Sequence, residues 1–395
     1  MKIGVIKIYP VRVPLRLRPS TRHHSPVNFT NIIIEISDAK GRFCGCGEGC
    51  LPPQKQIFLE DWIKAAAAFL SVNSFPWNLS SIYEIRAYIE SLPQLASLNP
   101  VVCAIETALL DILGRKQDKP LSAYFPSHHY TTCINYTAAI PSGLSKRQTI
   151  AFCRAANSLG IRQVRLGVGV NPKKTLDRLE TITNILDNRC TFSLDPGLGW
   201  NPEVTQAHMP LLVRFPVRAI EDLMPVEEER LAQVAGALKP LGIKLIAGQS
   251  ALTIDDAHQI VARGLHDAFS IQLSRNGGFH RSLQLVTYLR QNKCNYQIRC
   301  HTAGSCILSS AGHILNLLCR DAVNREAVYA KSVKGFEAVT GVTWMRPGGT
   351  AVPMRGAGLG EYVNKENIAR LKMNRFNGKT TTLTIKPTPA TIPVQ

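Results

Sequence analysis

The pattern of apolar and polar positions changes period twice along the chain. Residues 1–50 alternate in three runs, KIGVIKIYPVRVPL, NFTNIIIEISD and GRFCGCGEG, the period of half-buried strands. A polar, proline-containing stretch at 18–27 (RPSTRHHSPV) interrupts them and reads as a long loop carrying His23 and His24. Such a histidine pair is either solvated or part of a substrate lid. Residues 55–125 then place apolar side chains three and four apart in FLEDWIKAAAAFLSV, SIYEIRAYIESL and NPVVCAIETALLDILGRKQ, which predicts three helices. A sheet followed by helices, before any alternation of the two, predicts an α+β unit over 1–130.

From residue 131 short strand-like runs alternate with helix-like ones. CINYTAAI is the first strand, and IRQVRLG, TFSLDPG, RAIEDLMP, IKLIAGQS, FSIQLSRNGG, YQIRCHTAG and AVYAKS follow. Their polar ends fall at Arg165, Asp195, Glu221, Gly248 with Gln249, Gln272, His301 and Lys331, spaced by roughly 25–30 residues, the length of one strand–helix unit. Eight strands with seven helices between them predict an α/β fold, a (β/α)₇β TIM-type barrel over 131–332. A parallel barrel gathers the C-terminal ends of its strands on one face, where such barrels do chemistry. These residues are therefore expected to converge. The Gly/Pro-rich segment 333–395 is expected to pack back on the first unit and complete it, as an N-terminal capping domain, with the last ~20 residues weakly ordered.

Composition narrows the class. A chain of 395 residues fits a barrel and a smaller partner, and 45% hydrophobic with 19% charged residues is a globular balance. No apolar run approaches the ~18–20 residues of a membrane span, and the N-terminus lacks the apolar block of a signal peptide. A cytoplasmic protein with no membrane partner is expected. Eleven cysteines, several standing singly in predicted elements (Cys103, Cys153, Cys190, Cys319), suggest reduced, buried thiols. Cys44, Cys46 and Cys50 lack a nearby second pair to complete a four-ligand metal site. The net charge of +18 raises nucleic acid as a partner. The charge is spread along the chain without a Lys/Arg block among aromatics, so a solvated basic surface is the preferred reading. Association into a homo-oligomer is expected, as for many barrels.

The order of motifs resembles the enolase superfamily, most closely its muconate-lactonizing and dipeptide-epimerase subgroup. GCGEG at 45–49, AIETALLDILGRKQDKPL at 104–121, SLDPGLGW, AIEDLMP, QLSRNGG and GAGLGEYV carry the resemblance across nearly the whole chain. It implies removal of a proton α to a carboxylate, with the enediolate stabilised on Mg²⁺ held by three acidic residues. Lysines at the ends of strands two and six would act as acid and base. A weakly acidic α-proton needs both a cation to offset the developing charge and a base of matched pKa.

Carried onto this chain, the resemblance keeps Asp195 and Glu221 as metal ligands, and the third ligand position is Gly248, with Gln249 beside it. The Mg²⁺ site is thus weak or lost. The strand-two lysine pair becomes Gln163 and Arg165, and the strand-six lysine becomes Gln272. Arginine is a poor general base, and glutamine takes no proton at neutral pH. His301 occupies the strand-seven end at which the mandelate racemase branch places a catalytic histidine, but it is equally readable as a hydrogen-bonded barrel residue. Lys331 could bind a carboxylate or act as a base if burial lowered its pKa. Arg165, Arg275 and Lys331 together would form a cationic cup, while Asp195 and Glu221 could instead pair with Arg165 and Arg275. Two functions follow. One is a divergent isomerase, epimerase, cycloisomerase or lyase acting on a small carboxylate through His301, Lys331, Arg165 and Gln272, with Gln163, Arg275 and Gln249 binding substrate. The other is a pseudoenzyme that binds a small carboxylate without turnover.

Overall fold

In a computed structural model the three alternating runs become β1 (Ile3–Pro14), β2 (Asn28–Asp38) and β3 (Cys44–Cys50) of one antiparallel sheet. The described residues are 1–14, 28–50, 59–126, 130–187, 189–301, 304–326, 345–346, 348–353, 355–360, 375–376, 379–380 and 382–387. His23 and His24 lie outside them. Ile32, Ile33 and Ile34 are consecutive and all fully buried, so β2 is covered on both faces.

The helical run gives α1 (Leu59–Leu70), α2 (Ile82–Ser91) and α3 (Asn99–Gln117). β3 meets α3 through glycine. A Cβ on Gly45, Gly47 or Gly49 would lie 2.3, 1.8 or 2.1 Å from the carbonyl oxygens of Ala108, Ala104 and Pro100. Two residues of strand and four of helix both advance about 6 Å, so the glycines fall in step with successive turns of α3. Only a residue without Cβ lets the two backbones come this close. Counted from Ala96, the helical stretch ending at Gln117 is long and apolar enough to cross a membrane, contrary to the sequence expectation, but 83% of its most apolar window is buried inside the protein. It is the core helix of this half.

The alternating region begins with β4 (Ile134–Asn135) and β5 (Ala138–Ile140), so the expected first strand divides. There follow α4 (Lys146–Ser158), β6 (Gln163–Gly167), α5 (Pro172–Leu186), β7 (Thr191–Asp195), α6 (Pro202–Arg214) and β8 (Val217–Glu221). Then come α7 (Leu231–Leu238), β9 (Lys244–Ala247), α8 (Ile254–Arg263), β10 (Ala268–Ile271), α9 (Gly278–Gln291), β11 (Asn295–Ile298) and α10 (Cys306–Leu318). Strands β5 to β11 form one parallel sheet in chain order. Ser145, Asn171, Asn201 and Thr253 cap the helices that follow, each side chain accepting from a backbone N–H of the first turn. The eighth position is filled by Arg325, bridged parallel to Ile298, and Glu326, bridged parallel to Thr137. Those two bridges link the last strand to the first and close the ring. The pairing thus starts earlier than AVYAKS, and Lys331 lies outside the described residues.

The C-terminal segment touches both halves. β12 (Met345–Arg346) and β13 (Thr350–Ala351) extend β4 into a small antiparallel sheet, β14 (Arg375–Phe376) pairs with β15 (Lys379–Thr380), and β16 (Leu383–Ile385) adds to β1. The last of these falls within the stretch for which weak order was expected. Glu48, from the GCGEG motif, ties the first sheet to the barrel. Its buried carboxylate accepts from Ser305 N and Oγ and Leu308 N at the start of α10, and from Asn31 Nδ2. A carboxylate at a helix N-terminus meets the unpaired N–H groups of the first turn.

Candidate functional site

Register brings the carboxylates together. Leu194 is level with Ile220 across β7 and β8, so Asp195 and Glu221, one residue further along each strand, lie side by side at the C-terminal face. Asp222 follows Glu221, and Glu326 arrives from the closing bridge. Glu221, Asp222 and Glu326 are buried. Isolated ions at such positions would be very costly.

Two arginines offset them. Arg165, on β6, donates from Nη1 to Asp195 Oδ2 at 2.6 Å and from Nε to Glu326 Oε1. Arg299, one residue beyond β11, stands at the centre. Its Nη1 donates to Glu221 Oε1 at 2.6 Å and its Nη2 to Asp195 Oδ2 at 3.2 Å. Its Nη1 also lies 3.8 Å from Asp222 Oδ2, and its Nε 3.8 Å from Glu326 Oε2. Burial opposes ionisation of Glu326, but Arg165 and Arg299 outweigh it and hold that carboxyl below its ordinary range. Burial pushes Glu221 up against the pull of Arg299.

Other oxygens of the cluster accept hydrogen bonds, while Asp222 Oδ2 has none among the described residues. Glu221 Oε2 accepts from Gln297 Nε2 at 2.9 Å, and Asp195 Oδ1 from Gly197 N at 2.9 Å. Asp222 Oδ1 accepts from the backbone N–H groups of Gly248 and Gln249. A Cβ on Gly248 would stand 2.7 Å from Asp222 Oδ2 and 2.9 Å from Glu221 Oε1, so no side chain fits there. Mg²⁺ needs several oxygens at about 2.0–2.1 Å. A dication placed about 4 Å from the Arg299 guanidinium would meet repulsion on the order of 8 kcal/mol at an effective dielectric of about 20. As arranged, this donor set does not fit Mg²⁺.

The other sequence candidates take separate places. His301 is buried, and its Nε2 accepts the Ser274 N–H at 2.9 Å, which leaves the ring proton on Nδ1. Burial, with Arg275 and Arg299 nearby, holds it well below the ordinary imidazole pKa. Gln272 Nε2 donates to the Cys300 carbonyl at 2.6 Å. Gln249 lies at the rim beside Gly197. Gln163 does not join the cluster. It is exposed at the start of β6, level with Thr191, and its side chain accepts from Thr137 Oγ1. That level is four residues below Asp195, roughly 13 Å along the strand.

Arg275 faces the same carboxylates and Arg299, yet its Nε and Nη2 are shielded from solvent with no hydrogen-bond partner among the described residues. Burial and Arg299 push its pKa down. The cavity lined by Arg299, Cys300, His301, Glu326 and α10 measures about 10 Å³, the space of about one water molecule. Of the expected cationic cup, Arg165 is held in ion pairs and Arg275 keeps two donors without hydrogen-bond partners among the described residues, while Lys331 lies outside them. Outside the site, Cys44 and Cys46 lie with Glu35, their ligand atoms within 4.8 Å of one another, and Cys50 stands apart from that group.

Sequence reasoning missed Arg299, Glu326, Asp222 and Gln297. Alternation could have found two of them, since Gln297, Arg299 and His301 share the parity that points one way from β11.

Comparison with known proteins places this geometry in a family. The family model described as enolase C-terminal domain-like matches residues 148–367. The hydrophobic dipeptide epimerase of Enterococcus faecalis is 21% identical over 80% of this chain and 87% of its own. The solved N-succinyl Arg/Lys racemase of Bacillus cereus superposes with a TM-score of 0.80 at 18% identity, covering 98% of this chain and 100% of that one. A dipeptide epimerase from Enterococcus faecalis, solved with Mg and the dipeptide L-Leu-L-Tyr, gives 0.74 at 18% identity over 91% of this chain and 99% of its own. Curated relatives of this chain are epimerases, racemases and a cycloisomerase. With more than half its length matched by that family model, the chain belongs to the enolase superfamily, with a barrel of the mandelate racemase/muconate lactonizing type.

Proposed function

We propose that this protein binds a small carboxylic acid over the C-terminal ends of the barrel strands and acts on it as an isomerase or epimerase, removing the proton α to the carboxylate. One observation carries the binding half. Arg275 keeps two shielded guanidinium donors, Nε and Nη2, without hydrogen-bond partners among the described residues, and that edge of the fork matches the two oxygens of a carboxylate. The nature of the reaction follows the relatives, whose names describe epimerisation, racemisation and cycloisomerisation.

A second reading, binding without turnover, is favoured by the state of the candidate bases. The His301 lone pair is occupied by Ser274 N–H, the Gln272 amide takes no proton at neutral pH, and Arg165 is fixed in ion pairs. Of the sequence candidates for the base, Lys331 alone remains, outside the described residues. Proton exchange separates the two readings. In D₂O, with pooled dipeptides, N-acyl amino acids, muconates and sugar acids, the first reading expects loss of a Cα–H signal by NMR. Binding of an acid by calorimetry, without exchange and removed by Arg275→Gln, is the outcome of the second. Absence of both would overturn the carboxylate assignment.

A further inference from the structure

The two positions that the family resemblance assigns to metal ligands, Asp195 and Glu221, are joined in this protein by one side chain. Arg299 reaches Glu221 with Nη1 and Asp195 with Nη2, and turns Nε towards Glu326. The supporting hydrogen bonds orient the carboxylates to that guanidinium. Gln297 holds the second oxygen of Glu221, and Gly197 N the second oxygen of Asp195. The third acidic position is closed as well, because any Cβ on Gly248 would collide with Asp222 and Glu221.

We propose that Arg299 is a resident cation that stands in for a divalent metal at the barrel face, and that its removal would uncover a latent oxyanion-lined metal site. Arginine stays protonated at any pH the fold survives, so neither a chelator nor a moderate pH change can remove this charge. The site then needs no metal from solution. It would also be permanent, in the sense that binding an acid and binding a metal are uncoupled. Without Arg299, Asp195 Oδ2, Glu221 Oε1, Asp222 Oδ2 and Glu326 Oε2 would line a vacated position carrying four carboxylates against Arg165, which still donates to Asp195 and Glu326, and the nearby Arg275. Four hard oxygens around a small space suit Mg²⁺ or Mn²⁺ completed by water. The inference does not depend on turnover and goes beyond the carboxylate reading.

The test is Mn²⁺ binding to the full-length chain, followed by loss of the free-ion EPR signal. Wild type should leave the signal unchanged. Arg299→Ala should take up one equivalent where wild type takes up none, and Asp195→Asn added to it should abolish that uptake. Uptake of one equivalent by wild type, removed by Asp195→Asn alone, would overturn the proposal, as would a folded Arg299→Ala that gains nothing. If Arg299→Ala folds only with Mg²⁺ present, the latent site is supported. If it folds under neither condition, the wild-type measurement decides, with Arg299→Lys as a folded control that keeps the charge and should likewise leave Mn²⁺ free.

Discussion

Arg299 Nη1 lies 2.6 Å from Glu221 Oε1, and the Glu221 side chain is fully buried while Arg299 is only 12% exposed. This pair is therefore a buried ion pair rather than a surface one. Breaking such a pair from one side leaves an uncompensated charge, at a cost of about 3–5 kcal/mol. Arg299→Met should lower the stability measured by urea unfolding by that amount. Arg299→Met combined with Glu221→Gln should recover a substantial part of it, because the charge left behind is gone. A double-mutant cycle with no coupling between the two positions would contradict the geometry.

Much of this arrangement is legible in the amino-acid sequence. Strand–helix alternation from residue 131 gave the barrel, and the polar strand ends brought Asp195 and Glu221 to one face. The centre of the site was not found, because each strand was read by its last polar residue. On β11 that choice selected His301, two residues past the side chain that matters. AVYAKS, with the apolar density of a strand, lies outside the described residues. The pairing that closes the ring is seen just before it, at Arg325 and Glu326, a charged pair that hydropathy reads as loop. Pairing partners in a barrel are set by distant strands, and no local pattern records that Gln297 will meet Glu221, 76 residues away.

Gly248 offers a separate check on the closed third position. The nearest atoms to an added Cβ are carboxylate oxygens of buried Asp222 and Glu221, at 2.7–2.9 Å, and both are held by hydrogen bonds. Neither can yield cheaply. Gly248→Ala should therefore destabilise by about 1–3 kcal/mol, the range for overpacking, and Gly248→Asp by more, since it adds a like charge. Neither should create Mg²⁺ affinity while Arg299 is present. Thermal unfolding with and without Mg²⁺ measures both effects, and an unchanged Tm in Gly248→Ala would show that the carboxylates move freely.

His301 makes a prediction about pH. Its pKa is held well below the usual 6.5 by burial and by Arg275 and Arg299, so the folded chain keeps the ring neutral while the unfolded chain takes up a proton. Stability from this residue is complete above 6.5 and declines as pH falls beneath it, until the folded value is reached. The ¹⁵N shifts should show a ring still neutral and protonated at Nδ1 at pH values where an ordinary imidazole is charged. His301→Gln should flatten the acid side of the stability profile. A ring that titrates near its ordinary value would refute the buried, Ser274-bonded assignment.

Glu106 acts in the opposite sense, on the far side of the core. It lies buried on α3, where its Oε1 accepts from His280 N at the start of α9. Its Oε2 has no hydrogen-bond partner among the described residues, and it sits so near Gly278 that a Cβ there would come within 2.1 Å. Burial pushes its pKa up to about 7 from 4.5, against the lowering effect of the His280 and Phe279 N–H groups. Below 4.5 the carboxyl is protonated in both states and contributes no pH dependence. Between 4.5 and about 7 the unfolded chain loses the proton while the folded chain keeps it, so stability falls as pH rises and levels off above 7. The full loss is on the order of 3–4 kcal/mol. Glu106→Gln preserves the acceptor for His280 N and has no proton to lose. It should match wild type near pH 4 and exceed it by about that amount near pH 8, read as the difference in urea midpoints. Equal midpoints at both pH values would mean that Glu106 ionises freely in the fold, and that water reaches the α3–α9 contact.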